Sequence, residues 1–327
     1  MTDDIQILIE QICSADPDEQ DTAERELSGI GSRAVESLLP LLRAVAGRGR
    51  LRAQSCIRSI GSEAVPVLQR IRQQGPGRLR RPALQALADL SGGEALSERD
   101  IKAVERLVRI KLVDESPEDL PVGRWLAVTN AQVDDILQAL GLVDARPATV
   151  EMGICAAVDL ENSIDFDDVN SQDGRAYRVF ITPQFDGWRL IYGDEYINDH
   201  WSEAVRKLSA RCGEAHFYMV DDFDGANVWW VAQQGEDRRG FRTYGEPEWV
   251  GAPMPFERTL MVDEEDPLYD PDEHGDYAEG VTDPENVASW ISIPPTTISI
   301  AEKVGHGWIA VSHREVPHER FKGAIRI

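Results

Sequence analysis

Cys212 and His216, in the string CGEAH, are the nearest thing in this chain to a nucleophile with a base. Thiol–imidazole pairs in enzymes are usually assembled from distant segments. Cys212 also stands beside Gly213, a natural helix stop, so a structural cysteine is the expected reading. His306, His313 and His318 are three of only six histidines. The string HREVPHE lacks the spacing of a zinc-binding helix, and Pro317 opposes a helix there. Gly47-x-Gly49 and Gly75-x-Gly77 do not follow a strand, so neither reads as a phosphate loop, and no nucleophile elbow occurs. The expectation is no catalytic residue, no metal and no cofactor, and hence no enzyme.

Charge is the more informative chemistry. The chain carries a net charge of −24, yet ten arginines lie between Pro40 and Pro82 against the single acid Glu63. They concentrate in GRGRLR (Gly47–Arg52) and GPGRLRR (Gly75–Arg81), making Arg48, Arg50, Arg52, Arg78, Arg80 and Arg81 candidates for contact with an anionic partner. Two segments carry the opposite sign with no Lys or Arg: Asp159–Asp173, including Asp165, Asp167 and Asp168, and Asp263–Glu285 with eleven acids. DPDEHGD (Asp270–Asp276) has the look of a calcium loop, but the twelfth position, where a bidentate Glu belongs, is Val281. Mobile, solvated acidic loops are the default expectation, and an acidic surface that engages a basic partner by electrostatic steering is the functional alternative.

The arginines sit in a repeated stretch. Ala23–Arg43 (AERELSGIGSRAVESLLPLLR) returns thirty residues on as Ala53–Arg72 (AQSCIRSIGSEAVPVLQRIR), and a third copy opens at Ala83. Apolar residues recur at helical spacing on both sides of Gly31-Ser32 and Gly61-Ser62. Each unit therefore reads as a helical hairpin, the glycine ending one helix and the serine capping the next. One hairpin cannot bury its apolar face alone, so copies should stack, placing equivalent turns on one edge. Ile5–Ile12 would open the stack and Ile101–Leu112 close it.

This period, with Ala and Gly-x-x-Ala-Val at these places, resembles HEAT-like repeats of the phycocyanobilin-lyase type over residues 5–112. The resemblance implies an α-solenoid that serves as a docking surface, and it carries over no bilin chemistry.

Beyond the acidic, proline-bearing string Asp114–Val122 the composition changes, with all eight tryptophans at or after Trp125. Strands are expected at Arg124–Val128, Thr149–Val158, Tyr177–Thr182, Gly187–Tyr192, Glu214–Val220, Asn227–Gln233, Arg239–Tyr244 and Trp308–Ser312. Helices are expected at Ala131–Leu140, Trp201–Arg211 and Val287–Trp290. The fold class is α+β in two parts: a helical repeat domain at 1–112, a linker at 113–124, and a Trp-rich domain with a mainly antiparallel sheet at 125–260. An acidic loop at 261–286 and a closing segment at 287–327 follow. In the Trp229-Trp230 pair one side chain must face outward; that one, taken as Trp230, and Trp249 are candidate interface anchors. Strings such as VFITPQFDGWRLIYG and LSARCGEAHFYMV make the chain similar to actinobacterial proteins that couple a HEAT-like N-terminus to a Trp-rich region. Some proteins of this style look like the immunity partners of bacterial toxins, and the resemblance implies such a role as an expectation.

Four scattered cysteines (Cys13, Cys56, Cys155, Cys212), no apolar run of membrane-spanning length and no basic leader imply a cytoplasmic protein with reduced thiols. The leading expectation is a non-enzymatic protein–protein interaction module, immunity-like, with a basic partner. Nucleic acid held on the arginine edge is the alternative.

Overall fold

The computed structural model describes residues 2–43, 48–91, 95–116, 118–159, 162–165, 174–221, 225–243, 247–260 and 277–321. The chain divides into two units, Met1–Leu107 with His318–Ile327, and Val108–Pro317.

The first unit is helical: α1 (Thr2–Gln11), α2 (Pro17–Ile30), α3 (Val35–Leu38), α4 (Arg48–Ile60), α5 (Val65–Gln74), α6 (Gly77–Ser91) and the first turns of α7 (Glu98–Asp114). α2 packs on α1 and α4, α4 on α6, and α3 on α5. The thirty-residue register is visible in burial. Ala23, Ala53 and Ala83 are all fully buried, and so are Ala34 with Ala64 and Leu38 with Leu68. Small residues at these positions let neighbouring helices approach closely. Gly31 and Gly61 take φ of 70° and 63°, which only glycine adopts without a Cβ penalty, but at Gly31 ψ is −146°, so the helix ends in an extended positive-φ conformation and not in the left-handed cap expected. The serines do not follow expectation. Ser32 and Ser62 lie inside the 3₁₀ turns Gly31–Ala34 and Gly61–Ala64, and the helices that follow start from Ala34 and Ala64 with no side-chain cap. The tight turn leads directly into the next helix and leaves a serine cap no place.

The second unit is built on a twelve-stranded antiparallel sheet. Its strands are β1 (Arg124–Thr129), β2 (Val143–Ala148), β3 (Ser163–Asp165), β4 (Arg175–Ile181), β5 (Gln184–Phe185), β6 (Trp188–Tyr192), β7 (Glu214–Asp221), β8 (Ala226–Gln233), β9 (Glu236–Arg242), β10 (Glu248–Val250), β11 (Lys303–Val304) and β12 (Gly307–Val311). The main path runs β10-β9-β8-β7-β1-β6-β4-β12-β2, with β3, β5 and β11 pairing off it. Part of the closing segment thus joins the sheet, β12 lying between β4 and β2. The acidic string after α7 is also fastened to this unit: Lys303 Nζ lies 3.1 Å from Glu115 Oε2, and the Leu120 amide donates to the Pro295 carbonyl.

One sheet face is covered by α10 (Asp194–Cys212), with α8 (Val133–Leu140) beside it. Leu126, Val128, Ile191, Phe217, Trp230, Val205 and Leu208 form its apolar core. The alternate residues of β7 and β8 point the other way. There Tyr218 meets Ser292 at the end of helix Pro284–Ile291, and Trp229 Nε1 donates to the Val281 carbonyl at 2.8 Å. With both faces covered, the Trp pair has no outward member: Trp229 is 0% and Trp230 7% exposed. Trp230 stands edge-on to Trp201 and so is a core residue, contrary to its assignment as an anchor.

Thr149–Val158 is also not a strand. Thr149 accepts from the Met152 amide as the N-cap of α9 (Val150–Ile154), a π-turn follows at Cys155–Asp159, and β2 comes earlier. A mostly apolar run, interrupted here only by Glu151, suits a helix as well as a strand, and the capping threonine decides.

Candidate functional site

The arginine-rich stretch separates into two kinds of side chain. Arg52 lies 2.7 Å from both Asp21 and Glu24 of α2. Arg58 of α4 grips Asp89 of α6 through two nitrogens at 2.9 and 3.3 Å, and Arg72 of α5 meets Asp100 of α7 at 2.7 Å. Partners in these hydrogen bonds are 28, 31 and 28 residues apart, about one repeat. Such arginines join one hairpin to the next. Arg52 thus belongs to the packing of the unit, a correction to its placement on a free edge: the repeat that aligns the arginines also brings acids of the preceding hairpin within reach.

Arg78, Arg80 and Arg81 differ. All three are exposed in the opening turns of α6 and make no ion pair among the described residues. Arg80 Nε donates to the Gly75 carbonyl at 2.8 Å, which steadies its stem. Arg50 lines a groove with Gln54, Gln85 and Asp89, and the side chain of Arg48 lies outside the described residues.

These positions run against helix electrostatics. A helix N-terminus carries partial positive charge and favours acids. α2 opens with Asp18 and Glu19, α7 with Glu98 and Asp100, α8 with Asp134 and Asp135, and α10 with Asp194 and Glu195. α4 and α6 open with arginines and have no acid in the first turn. The arrangement costs the isolated helix roughly 0.3–1 kcal/mol per charge, and a bound anion reverses the sign.

On the second unit Asp165 ends β3 with its side chain 82% exposed, 3.0 Å from Arg175 Nε. Arg175 also lies 3.5 Å from Glu195 and 3.8 Å from Asp199, so three acids share one cation. Asp167 and Asp168 lie outside the described residues, as does Asp270–Asp276. Trp249 is 39% exposed; one side of its ring meets Phe241, and the Arg239 guanidinium sits 4.4 Å from its centroid.

Two buried polar groupings were not legible in the sequence. Arg239, 7% exposed, pairs with fully buried Glu257 at 2.6 Å and also donates to the Val250 and Gly251 carbonyls. His216 is fully buried, with Nε2 2.9 Å from Glu214 and Nδ1 2.9 Å from the Tyr218 hydroxyl, which lies 2.8 Å from Ser292 Oγ. Burial holds the imidazole below its usual pKa against the pull of Glu214, so the ring is neutral. A neutral ring has one donor and a carboxylate only accepts, so Nε2–H points to Glu214 and Tyr218 donates to Nδ1. Gln233 donates to the other Glu214 oxygen. Both ring nitrogens are thus engaged, and neither serves Cys212, whose thiol is pushed up by burial. The pair CGEAH makes no dyad.

Among the described residues no three His, Cys, Asp or Glu side chains gather into a metal-sized cluster, and no helix is long and apolar enough to cross a membrane. Comparison with protein-family models, curated proteins and solved structures gives no match.

Proposed function

We propose that this chain is a non-enzymatic protein-binding module that docks its partner through charge, in the manner of immunity proteins that neutralise toxins. The observation that carries this reading is the arginine triad Arg78, Arg80 and Arg81: exposed, without acidic partners among the described residues, and placed where helix electrostatics resist cations. The ladder Arg52–Glu24, Arg58–Asp89 and Arg72–Asp100 supports reading the first unit as a HEAT-like solenoid, since each pair joins neighbouring hairpins. On that reading α6 presents the triad as a docking edge for an acidic surface. The acidic segments with Asp165, Asp167 and Asp168 give the module a second face for a basic partner; the shared-cation cluster of Asp165, Glu195 and Asp199 around Arg175 favours it.

The test is affinity capture from nuclease-treated extract with three full-length baits: unaltered, R78E/R80E/R81E and D165K/D167K/D168K. A protein partner retained by the first and lost by one of the others supports the reading. Identical captures by all three baits, or capture of nucleic acid alone when nuclease is omitted, overturn it.

A further inference from the structure

The triad has a groove beside it. Gln69, Arg72 and Gln73 of α5, Leu87 of α6, Leu96 just before α7 and Asp100 in its first turn line it. Arg72 joins the two features, since its Nε donates to Asp100 at 2.7 Å and its Nη1 to the Arg80 carbonyl at 3.4 Å. Leu87 and Leu96 are buried and give the groove an apolar floor. Its wall carries two carboxamides: Gln69, whose Nε2 donates to the Ala95 carbonyl, and Gln73, which is exposed and makes no hydrogen bond among the described residues.

Each element selects a chemistry. A carboxamide offers one donor and one acceptor group and so matches the alternating N–H and C=O of an extended backbone, whatever its sequence. An apolar floor rewards one aliphatic side chain. Guanidinium groups take carboxylates in charge-assisted pairs. A nucleic-acid backbone satisfies only the last of these, because it brings neither an aliphatic group for the floor nor a peptide unit for the amides. We propose that this groove receives an extended acidic peptide segment of the partner. An aliphatic side chain would lie over Leu87 and Leu96, backbone groups on Gln69 and Gln73, and flanking Asp or Glu on Arg78, Arg80 and Arg81. The inference rests on the protein-binding reading and names the partner class for its arginine face.

The experiment is fluorescence anisotropy on the full chain at low salt with a labelled short peptide of Asp and Glu around one central Leu. The comparison probes are the same peptide with Ser for Leu, a Lys-based peptide and a short DNA duplex. The acidic Leu peptide should bind best. R78E/R80E/R81E should weaken it roughly a hundredfold. Gln73→Trp, an exposed position that fills the groove and spares the core, should weaken it about tenfold with the triad intact and the thermal melt unchanged. Equal binding of the Leu and Ser peptides, an unaffected Gln73→Trp, or tighter binding of the duplex overturns the proposal. If the peptide fails while the capture experiment still yields a triad-dependent partner, the groove assignment falls alone; if both fail, the docking reading falls with it.

Discussion

Both units of this molecule carry part-exposed arginine pairs, Arg72–Asp100 in one and Arg206–Asp237 in the other, but among the described residues only the sheet unit also buries arginines. In the helical unit the structural arginines are part-exposed, Arg52 at 33%, Arg58 at 31% and Arg72 at 22%, and pair with acids of a neighbouring hairpin. In the sheet unit Arg239 is almost wholly enclosed and bonds a fully buried Glu257, and Arg178, at 2% exposure, is desolvated enough to bring its pKa down to about 10. Water screens the first kind and makes each pair replaceable. The second kind, once formed, depends on its partner, because a lone charge in the interior costs more than the pair contributes.

The largest effect should therefore come from Glu257→Ala. Leaving Arg239 unpaired should cost about 3–5 kcal/mol by urea denaturation, whereas Asp100→Ala should cost about 1 kcal/mol. Equal costs would remove the contrast. Next comes Gly240→Ala: the new Cβ would lie 2.2 Å from the Trp230 ring, which Trp201 also borders, and overpacking of this kind costs roughly 1–3 kcal/mol. Gly61→Ala in the helical unit meets nothing within 4 Å, so only its φ of 63° is penalised, at about 1 kcal/mol.

Third is a pH dependence near neutrality that arises in the sheet unit. The folded protein holds His216 below its usual pKa by burial, so from about pH 7 to about pH 5 the unfolded chain binds more protons and stability falls. Glu214, held low by its hydrogen bond from His216, contributes stability above the usual carboxylate range that is lost at still lower pH. His306 is held low in the same way, so His216→Gln should reduce the first step in urea titrations at the two pH values and leave the His306 share; an unchanged slope assigns it elsewhere. The smallest effect has the opposite sign. R78E/R80E/R81E should leave the fold intact or raise its stability by about 0.3–1 kcal/mol, because acids suit the first turn of α6, while partner binding is lost. A clear destabilisation would mean that the triad is structural.

The sequence made legible whatever rests on periodicity. The repeat register placed Ala53 and Ala83 in the core, and alternation found the strands now called β1, β4, β6, β7 and β8. What it hid depends on the third dimension. Whether Arg52 is free depends on Glu24, in the preceding hairpin. Whether Trp230 faces out depends on α10, whose Trp201 covers it, and whether Trp229 does depends on the segment around Val281, far along the chain from β8. Glu257 gave no local sign of its meeting with Arg239, and the fate of Thr149–Val158 turned on one capping hydroxyl.

The place of β12 also bears on how the chain is made. The Arg178–Ile181 edge of β4 pairs with β12, and β2 has β12 as its partner strand in the sheet. At roughly 5–20 residues per second, that edge waits on the order of ten seconds after β4 is synthesised before its partner exists. For that interval the nascent sheet presents an open, apolar ladder of the kind that recruits other chains. Crowding of ribosomes on one message should therefore lower soluble yield more for this unit than for the helical one, whose helix–helix contacts join elements close in the chain.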